Sequence, residues 1–251
     1  MKIAVGIRTC ASNFNFWNST RVVDADKRTI LLTCINSMLK SAKESGYEYS
    51  FSIHDDNSGE EVLKEIQNLF DTHNYSVEIF HTEKLGTFKS QYEWIKNQNA
   101  EYYYCSEEDY LHQLTAFRDM VEIIDYMKEF DMADYAVFPF NCPHRYLSPE
   151  GLYGCYIVRG PKQYWRSVFH STHTFFISSK NFHEYDDIMK LQAYDWPQMH
   201  AMEDGTINRI WKEQRVRLLC PMESLAIHLA DDTQKEPYFD YMELWNKNLI
   251  S

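Results

Sequence analysis

Three consecutive acids, Glu107, Glu108 and Asp109, follow an aromatic run in the stretch YYYCSEEDYLH. Carboxylates set side by side repel one another, so the triplet asks for a counter-charge: a bound cation, a basic neighbour or water. Two further acidic pairs stand out, Asp55-Asp56 at the end of YEYSFSIHDD and Glu203-Asp204 in MEDGTINRIW. Such groups accept hydrogen bonds, ligate hard cations or take a proton from an attacking hydroxyl. Their plainer readings are a turn and helix cap for DDNSG, a solvated helix start for the triplet, and acids complementing a helix dipole for the third pair.

Basic and aromatic residues supply complementary chemistry. Arg8 follows a first apolar run, and Lys84, Gly86 and Lys89 cluster in EKLGTFK, where a glycine permits close backbone approach and cations suit phosphate. The segment RGPKQYWRSVFHSTHTFF gathers Arg159, Lys162, Tyr164, Trp165, Arg166, His170 and His173. Tyr and Trp stack on sugar rings and Arg or Lys hold anionic groups, or the segment is simply a packed hairpin. His170 and His173 have HxxH spacing, a weak zinc signal without further ligands close by. His228, in ESLAIHLADD, is either a cation ligand or an ordinary histidine.

The elements that must position these groups alternate. KIAVGI reads as a buried first strand, and residues 27–44 as an amphipathic helix carrying Ile30, Leu31, Cys34, Ile35, Met38 and Leu39 at helical spacing. YEYSFSIHDD, YSVEIFH and EYYYCS read as strands. Helices follow DDNSGEE, capped by Asn or Ser, and cover TFKSQYEWIKNQ. Strand and helix in turn with short links predict a mostly parallel sheet, whose ligands gather at the carboxyl ends of the strands. Both Asp55-Asp56 and the triplet fall at such ends. The second half predicts a helix over about 114–131, a strand at YAVFPF, hairpins, a strand at HTFFIS, helices at about 179–191 and MEDGTINRIWKEQ, a strand at VRLLC and a polar tail.

The chain has 251 residues, 44% of them hydrophobic and 25% charged, a soluble globular composition that fits one large domain or two intimate ones. Its 25 Lys and Arg against 37 acids give a net charge of −12, which argues against nucleic-acid partners and anionic membranes. Aromatics make up 16%. The six cysteines lie singly with no CxxC pair and read as reduced thiols. With no secretory signal and no apolar run long enough for a membrane span, the expectation is a cytoplasmic protein.

KIAVGIRT, SIHDDNSGEEV, KLGTFKSQYEWI, SEEDY and MEDGTINRIW occur in an order that resembles family 2-like glycosyltransferases of the GT-A fold, over nearly the whole chain. The resemblance implies an α/β, Rossmann-like mixed sheet, mostly parallel and flanked by helices, forming a single GT-A-like domain over 1–251. Residues 1–110 would form its nucleotide-sugar-binding half and 111–251 its acceptor-binding and catalytic half. It implies donor contacts from Arg8, Asp55, Asp56, Lys84, Gly86 and Glu107, with Asp56 on the nucleotide base. It implies a Mn2+ or Mg2+ ion on Asp109, joined by His228. The catalytic base would be Asp204 with Glu203 beside it, and acceptor contacts come from Tyr164, Trp165, Arg166 and His173. The expected reaction is metal-dependent, inverting transfer from a nucleoside diphosphate sugar, by default a UDP-sugar, to a glycan or small hydroxyl acceptor. The sequence departs from the family in carrying Glu107 where the DxD motif usually begins with Asp. A nucleotidyltransferase is the first alternative, although GIRTCASNFNFW lacks a Gly-rich basic loop for a triphosphate. A non-catalytic nucleotide or carbohydrate binder is the second.

Overall fold

A computed structural model of the chain describes residues 1–11, 22–83, 86–131, 133–143, 146, 155–195, 197–229, 236 and 239–250. Its centre is a nine-stranded sheet in the order β3-β2-β1-β4-β9-β6-β10-β8-β7. The strands are β1 Lys2–Thr9, β2 Glu48–Asp56, β3 Val77–Thr82, β4 Tyr102–Glu107, β6 Tyr135–Val137, β7 Ile157–Arg159, β8 Tyr164–Val168, β9 Phe175–Ser178 and β10 Arg217–Pro221. A separate two-stranded ribbon joins β5 Tyr110–His112 to β11 Ala226–His228.

Helices α1 Lys27–Ser45, α2 Glu60–His73 and α4 Ala116–Lys128 cover one face. The other is covered by α3 Thr87–Lys96, α5 Ser179–Glu184, α6 Asp186–Asp195 and α7 Ile207–Lys212. Strand alternation feeds both layers: Ile3, Val5, Ile7, Tyr102 and Tyr104 enter the first, while Ala4, Tyr103 and Cys105 enter the second. A strand buried on both faces must be apolar at nearly every position, which explains the unbroken run at the amino terminus.

Local signals account for most boundaries. Asp26 caps α1 by accepting the Thr29 N–H at 2.7 Å, and Gly46, left-handed at φ 71, ends it. The start of α2 differs from the Asn or Ser cap expected. Gly59 sits there at φ 91 without a side-chain cap, and the Ser58 Oγ that could have capped the helix instead accepts the Ala11 N–H at 2.7 Å. The expected helix over 179–191 is two, α5 and α6, separated at Tyr185, and MEDGTINRIWKEQ begins as a 3-10 turn, Glu203–Gly205, before α7. The polar tail contains a further helix, α8 Tyr241–Asn248, whose Asn248 carbonyl accepts from Asn36 on α1 at 2.8 Å.

The sheet is mixed as expected, with its parallel pairs concentrated in the amino-terminal half. β1 pairs in parallel with β2 and β4, β2 with β3, and β6 with β10, whereas β9, β8 and β7 run antiparallel to their neighbours. Consequently β1, β2, β3, β4, β6 and β10 all finish at one edge. Among the described residues no helix is long and apolar enough to cross a membrane.

Candidate active site

Strand register assembles the site. Arg8 lies opposite Glu107, Thr9 opposite Asp55, and Asp56 opposite Thr82, so the acids flagged in the sequence share the carboxyl edge of the parallel strands. The ribbon brings in the rest. His228 lies opposite Tyr110, and the Leu229 N–H reaches the Asp109 carbonyl at 2.9 Å, which fixes His228 beside Asp109.

Each acid of the triplet meets a different base from a different element. Glu107 faces Arg8 of β1 at 3.1 Å, Glu108 faces Lys27 at the start of α1 at 2.7 Å, and Asp109 faces His228 of β11 at 3.3 Å. Basic neighbours therefore supply the counter-charge. Burial pushes the Glu108 carboxyl up, against the opposing pull of Lys27. Burial also acts to raise Asp109, but His228 and Lys27 outweigh it and hold that carboxyl below its ordinary value. Lys27 is raised because Glu108 and Asp109 overcome the desolvation that would lower it. The Asp109 Oδ1 atom is buried with no hydrogen-bond partner, the approach of His228 Nε2 being close but poorly aligned.

The two acids ending β2 divide their roles. Asp55, 1% exposed, accepts from Thr9 Oγ1 at 2.7 Å and from the Ser58 N–H at 2.9 Å, so both its oxygens hold the turn together. Asp56 is half-buried at the last position of the strand. Gly86 enters α3 with its N–H on the Glu83 carbonyl at 3.1 Å. Lys84 lies outside the described residues. Lys89 is exposed, its ammonium 4.9 Å from the Tyr194 ring.

A continuous set of contacts leads from the triplet to the third acidic pair. The buried Arg8 guanidinium stacks 3.7 Å from the Phe88 ring, and Phe88 meets His173 edge-on at 4.4 Å. His173 Nε2 lies 2.8 Å from Glu203, while Gln192 donates to its Nδ1 at 3.0 Å. That amide orientation leaves the Nε2 proton for Glu203. Beneath them is a cavity of about 20 Å3 lined by Arg8, Phe88, Gln91, His173 and Gln192, room for a single water.

Glu203 and Asp204 face different surroundings. Glu203 is 28% exposed; burial acts to raise its carboxyl, yet His173 and Arg8 bring it below its ordinary value. Asp204 is 69% exposed and bound by Asn208 at 3.0 Å, Lys212 at 3.0 Å and His170 at 3.2 Å; these hold its carboxyl low, the Asn208 hydrogen bond foremost. Gly205 completes the turn that carries them, since a Cβ there would stand 2.1 Å from the His200 carbonyl oxygen. His170 and His173 thus pair with different acids instead of converging, and among the described residues no group of three His, Cys, Asp or Glu side chains could hold a metal.

The residues expected to contact an acceptor separate. His173 belongs to the cluster just described. Tyr164 is 58% exposed at the start of β8. Trp165 corrects the expectation: alternation along β8 turns it into the core, 2% exposed and close against Gly160, so its ring is not free to stack on a sugar. Arg166 is 4% exposed, donates from Nε to Asn141 Oδ1 at 3.2 Å and lies 4.2 Å from the Tyr146 ring. Lys162 is drawn off to Asp119 and Glu122 of α4, both at 2.7 Å.

Sequence reasoning did not anticipate Lys27, Phe88 or Gln192. Lys27 carried a readable signal, because a cation in the first turn of a helix opposes the macrodipole and implies an acid nearby. Phe88 and Gln192 look like ordinary helix residues.

The sheet, with strands ending at one charged edge and helices on both faces, is GT-A-like in fold. The particular solved structures it is similar to include Staphylococcus aureus TarS residues 1–349 with UDP, at 13% identity and TM-score 0.56 over 90% of this chain and 60% of that one. The same protein with UDP-GlcNAc matches at 14% identity and TM-score 0.53 over 97% of this chain and 64% of that one. A putative glucose-1-phosphate thymidylyltransferase from Bacillus anthracis matches at 8% identity and TM-score 0.51 over 98% and 95%. The chain spans between 36% and 64% of the TarS chains it matches. At these identities the likeness is one of fold. No protein-family model and no curated protein matches the sequence.

Proposed function

We propose that the protein is a metal-dependent, inverting glycosyltransferase that moves a sugar from a nucleoside diphosphate sugar, UDP-linked, to a hydroxyl acceptor. The observation that carries this reading is that two carboxylate–histidine pairs, Asp109–His228 and Glu203–His173, lie at one sheet edge, with Arg8 paired to Glu107 and close enough to Glu203 to act on it electrostatically. That edge is where open α/β sheets hold ligands.

The residues present fit a divalent cation. An orphaned, buried carboxylate oxygen facing an imidazole nitrogen 3.3 Å away is a mixed oxygen and nitrogen donor pair suited to Mn2+ or Mg2+, with further positions left for phosphate and water. Asp109 and His228 would hold the ion, which when bound neutralises charge building on the departing diphosphate. Arg8, already turned toward Glu107 and fixed by Phe88, adds a fixed positive charge near the same phosphates. Asp56, at the last position of β2, accepts the imide N–H of the base, while Asp55 keeps the turn in place.

We assign the base role to the Glu203-Asp204 pair, with Glu203 the favoured member. It is the less exposed of the two and is oriented by His173, whose own tautomer Gln192 sets. An ionised carboxylate there takes the proton of the attacking hydroxyl, and attack opposite the leaving group inverts the anomeric centre. Gly205 lets the turn close beneath both acids.

Calorimetric titration of UDP and GDP, with Mn2+ and then with EDTA, tests the reading. UDP binding that requires Mn2+ is the expected result. Binding of neither nucleotide to folded protein, or binding indifferent to EDTA, overturns it.

A further inference from the structure

Two surfaces at the sheet edge lie outside the donor and base groups. One is an open hollow of about 530 Å3 at the antiparallel end, lined by Ile157, Gln163, Tyr164, Met222 and Glu223, on the strand that also carries the buried Arg166. The other is charged and lies on the side of Glu203 and His173. There Lys89 of α3 and Lys190 of α6 converge on one aromatic ring, their ammonium nitrogens 4.9 and 5.9 Å from the centre of Tyr194. Lys190 and Tyr194 stand four residues apart on α6, hence on one face, and Lys89 reaches them from the neighbouring helix. The ring is fixed by its hydroxyl, which donates to Glu93 of α3, and by Tyr92 packed edge-on at 6.2 Å, yet it is 43% exposed.

Nearby cations find acids and these two do not. Lys96 on α3 pairs with Asp186 at 3.1 Å and Lys180 on α5 with Asp134 at 3.2 Å, whereas Lys89 and Lys190 form no ion pair among the described residues. Three acids of the same helices are engaged: Glu93 by Tyr194, Asp186 by Lys96 and Tyr92, and Asp195 by His200 at 3.1 Å. The fourth, Asp187, is outside ion-pair range of both lysines. In a chain of net charge −12, two exposed ammoniums gathered at one ring are a local excess of positive charge. The attraction of an exposed cation to a ring is worth about 0.5–1 kcal/mol, too little to favour bringing two like charges together. An anion set between them satisfies donors on both.

The placement ties this patch to the reacting groups. Both helices also touch His173: Phe88, next to Lys89, meets its ring at 4.4 Å, and Gln192, two residues from Lys190 and from Tyr194, donates to its Nδ1 at 3.0 Å. Lys89 lies in the first turn of α3, at the edge where β3 ends, and the 3-10 turns Met199–Ala201 and Glu203–Gly205 follow α6 in the chain. The ammoniums are thus about one helix width, about 10 Å, from the Glu203–His173 pair.

We propose that Lys89, Lys190 and Tyr194 form a subsite for a negatively charged unit of the acceptor, bearing carboxylate or phosphate, so that the acceptor is an acidic glycan. The inference rests on the glycosyltransferase reading and names the acceptor class. The two ammoniums hold the anionic group, and the exposed part of the Tyr194 ring packs against the C–H face of the sugar. At that distance from Glu203 the charged unit adjoins the one that reacts.

The test is an array of immobilised acidic oligosaccharides, uronic-acid and phosphorylated, beside neutral ones of the same backbones, probed with the labelled full chain in UDP and Mn2+. Acidic glycans are expected to be captured, less so as salt rises, and the set that binds distinguishes carboxylate from phosphate. Lys89→Met combined with Lys190→Met should reduce capture at least tenfold, whereas Lys89→Arg with Lys190→Arg retains it, and calorimetric UDP affinity stays unchanged in both. Lys64→Met on α2 removes the same charge elsewhere and should leave capture intact; all three lysines are exposed, so the variants keep the fold. Equal capture of neutral glycans, no capture of acidic ones, equal loss in Lys64→Met, or undiminished capture by the double Met variant overturns the subsite. Loss of UDP affinity in that variant also overturns it, by assigning the lysines to the donor. Failure of UDP to bind the unaltered protein, with acidic glycans still captured, counts against the donor site and leaves the subsite standing.

Discussion

At the β3-β2-β1-β4 end of the sheet, four parallel strands finish together, and their charged residues finish paired: Glu107 with Arg8, Glu108 with Lys27, Asp109 with His228, and Asp55 with Thr9 and Ser58. At the β10-β8-β7 end the strands run antiparallel, and Arg166 forms no ion pair among the described residues. Arg8 and Arg166 make the contrast sharp. Both are buried and both lie against an aromatic ring, Phe88 or Tyr146, but among the described residues Arg8 has an ion pair with an acid and Arg166 has none. Parallel strands bring several loop starts to one place and so concentrate charge. Antiparallel hairpins spread their ends and leave an apolar hollow with polar groups beneath it.

The sharpest break would come from Asp109→Ala, expected to abolish the Mn2+ dependence of UDP binding by calorimetry and to lower turnover by about a hundredfold or more, as for loss of a charge-stabilising group. Retained Mn2+-dependent binding would remove the parallel end from metal chemistry. Next, Glu203→Gln should lower turnover by about 10²- to 10⁴-fold, the range for general-base catalysis, with UDP affinity held within about twofold; Asp204→Asn should cost less than about tenfold. Steady-state kinetics showing the reverse order would assign the base to the outer acid.

Acid should weaken the parallel end first. Burial lowers His54 on β2 to about 3 and His112 on β5 to about 4, from an ordinary 6.5. Both stay neutral in the folded chain while the unfolded chain takes up protons below pH 6.5, so folded stability falls as pH drops from there toward 4. Each contributes a slope of about 1.4 kcal/mol per pH unit. Urea unfolding across that range measures it, and a flat profile would contradict neutral burial. The smallest effect concerns the turn between the two ends. Gly205→Ala forces a Cβ against the His200 carbonyl and should cost about 1–3 kcal/mol, read as a lower melting temperature together with reduced turnover.

Much of the parallel end was legible in the sequence because apolar runs ending in acids announce both strand and edge. What the acids pair with was not, since Lys27 and His228 reach them through a helix start and a ribbon strand of three residues, too short to show a period. The antiparallel end was read by composition alone. That placed Tyr164, Trp165 and Arg166 together, whereas the two-residue repeat of β8 sends Trp165 to the opposite face from its neighbours. The turn at Glu203 looked like a helix start, and only the close approach at Gly205 separates a 3-10 turn from it.

The three-fold pairing of the acidic triplet also bears on how fast a ligand arrives. A chain of net charge −12 repels a diphosphate at long range, and that repulsion lowers the frequency of encounter. Because Arg8 and Lys27 offset Glu107 and Glu108 one by one and His228 stands against Asp109, the last few ångströms of approach cross a patch of reduced net field. Dissolved salt screens the distant repulsion more than the buried pairs, so under the proposed function nucleotide capture is expected to quicken as ionic strength rises, the opposite of the slowing seen when a basic cleft draws its anion in.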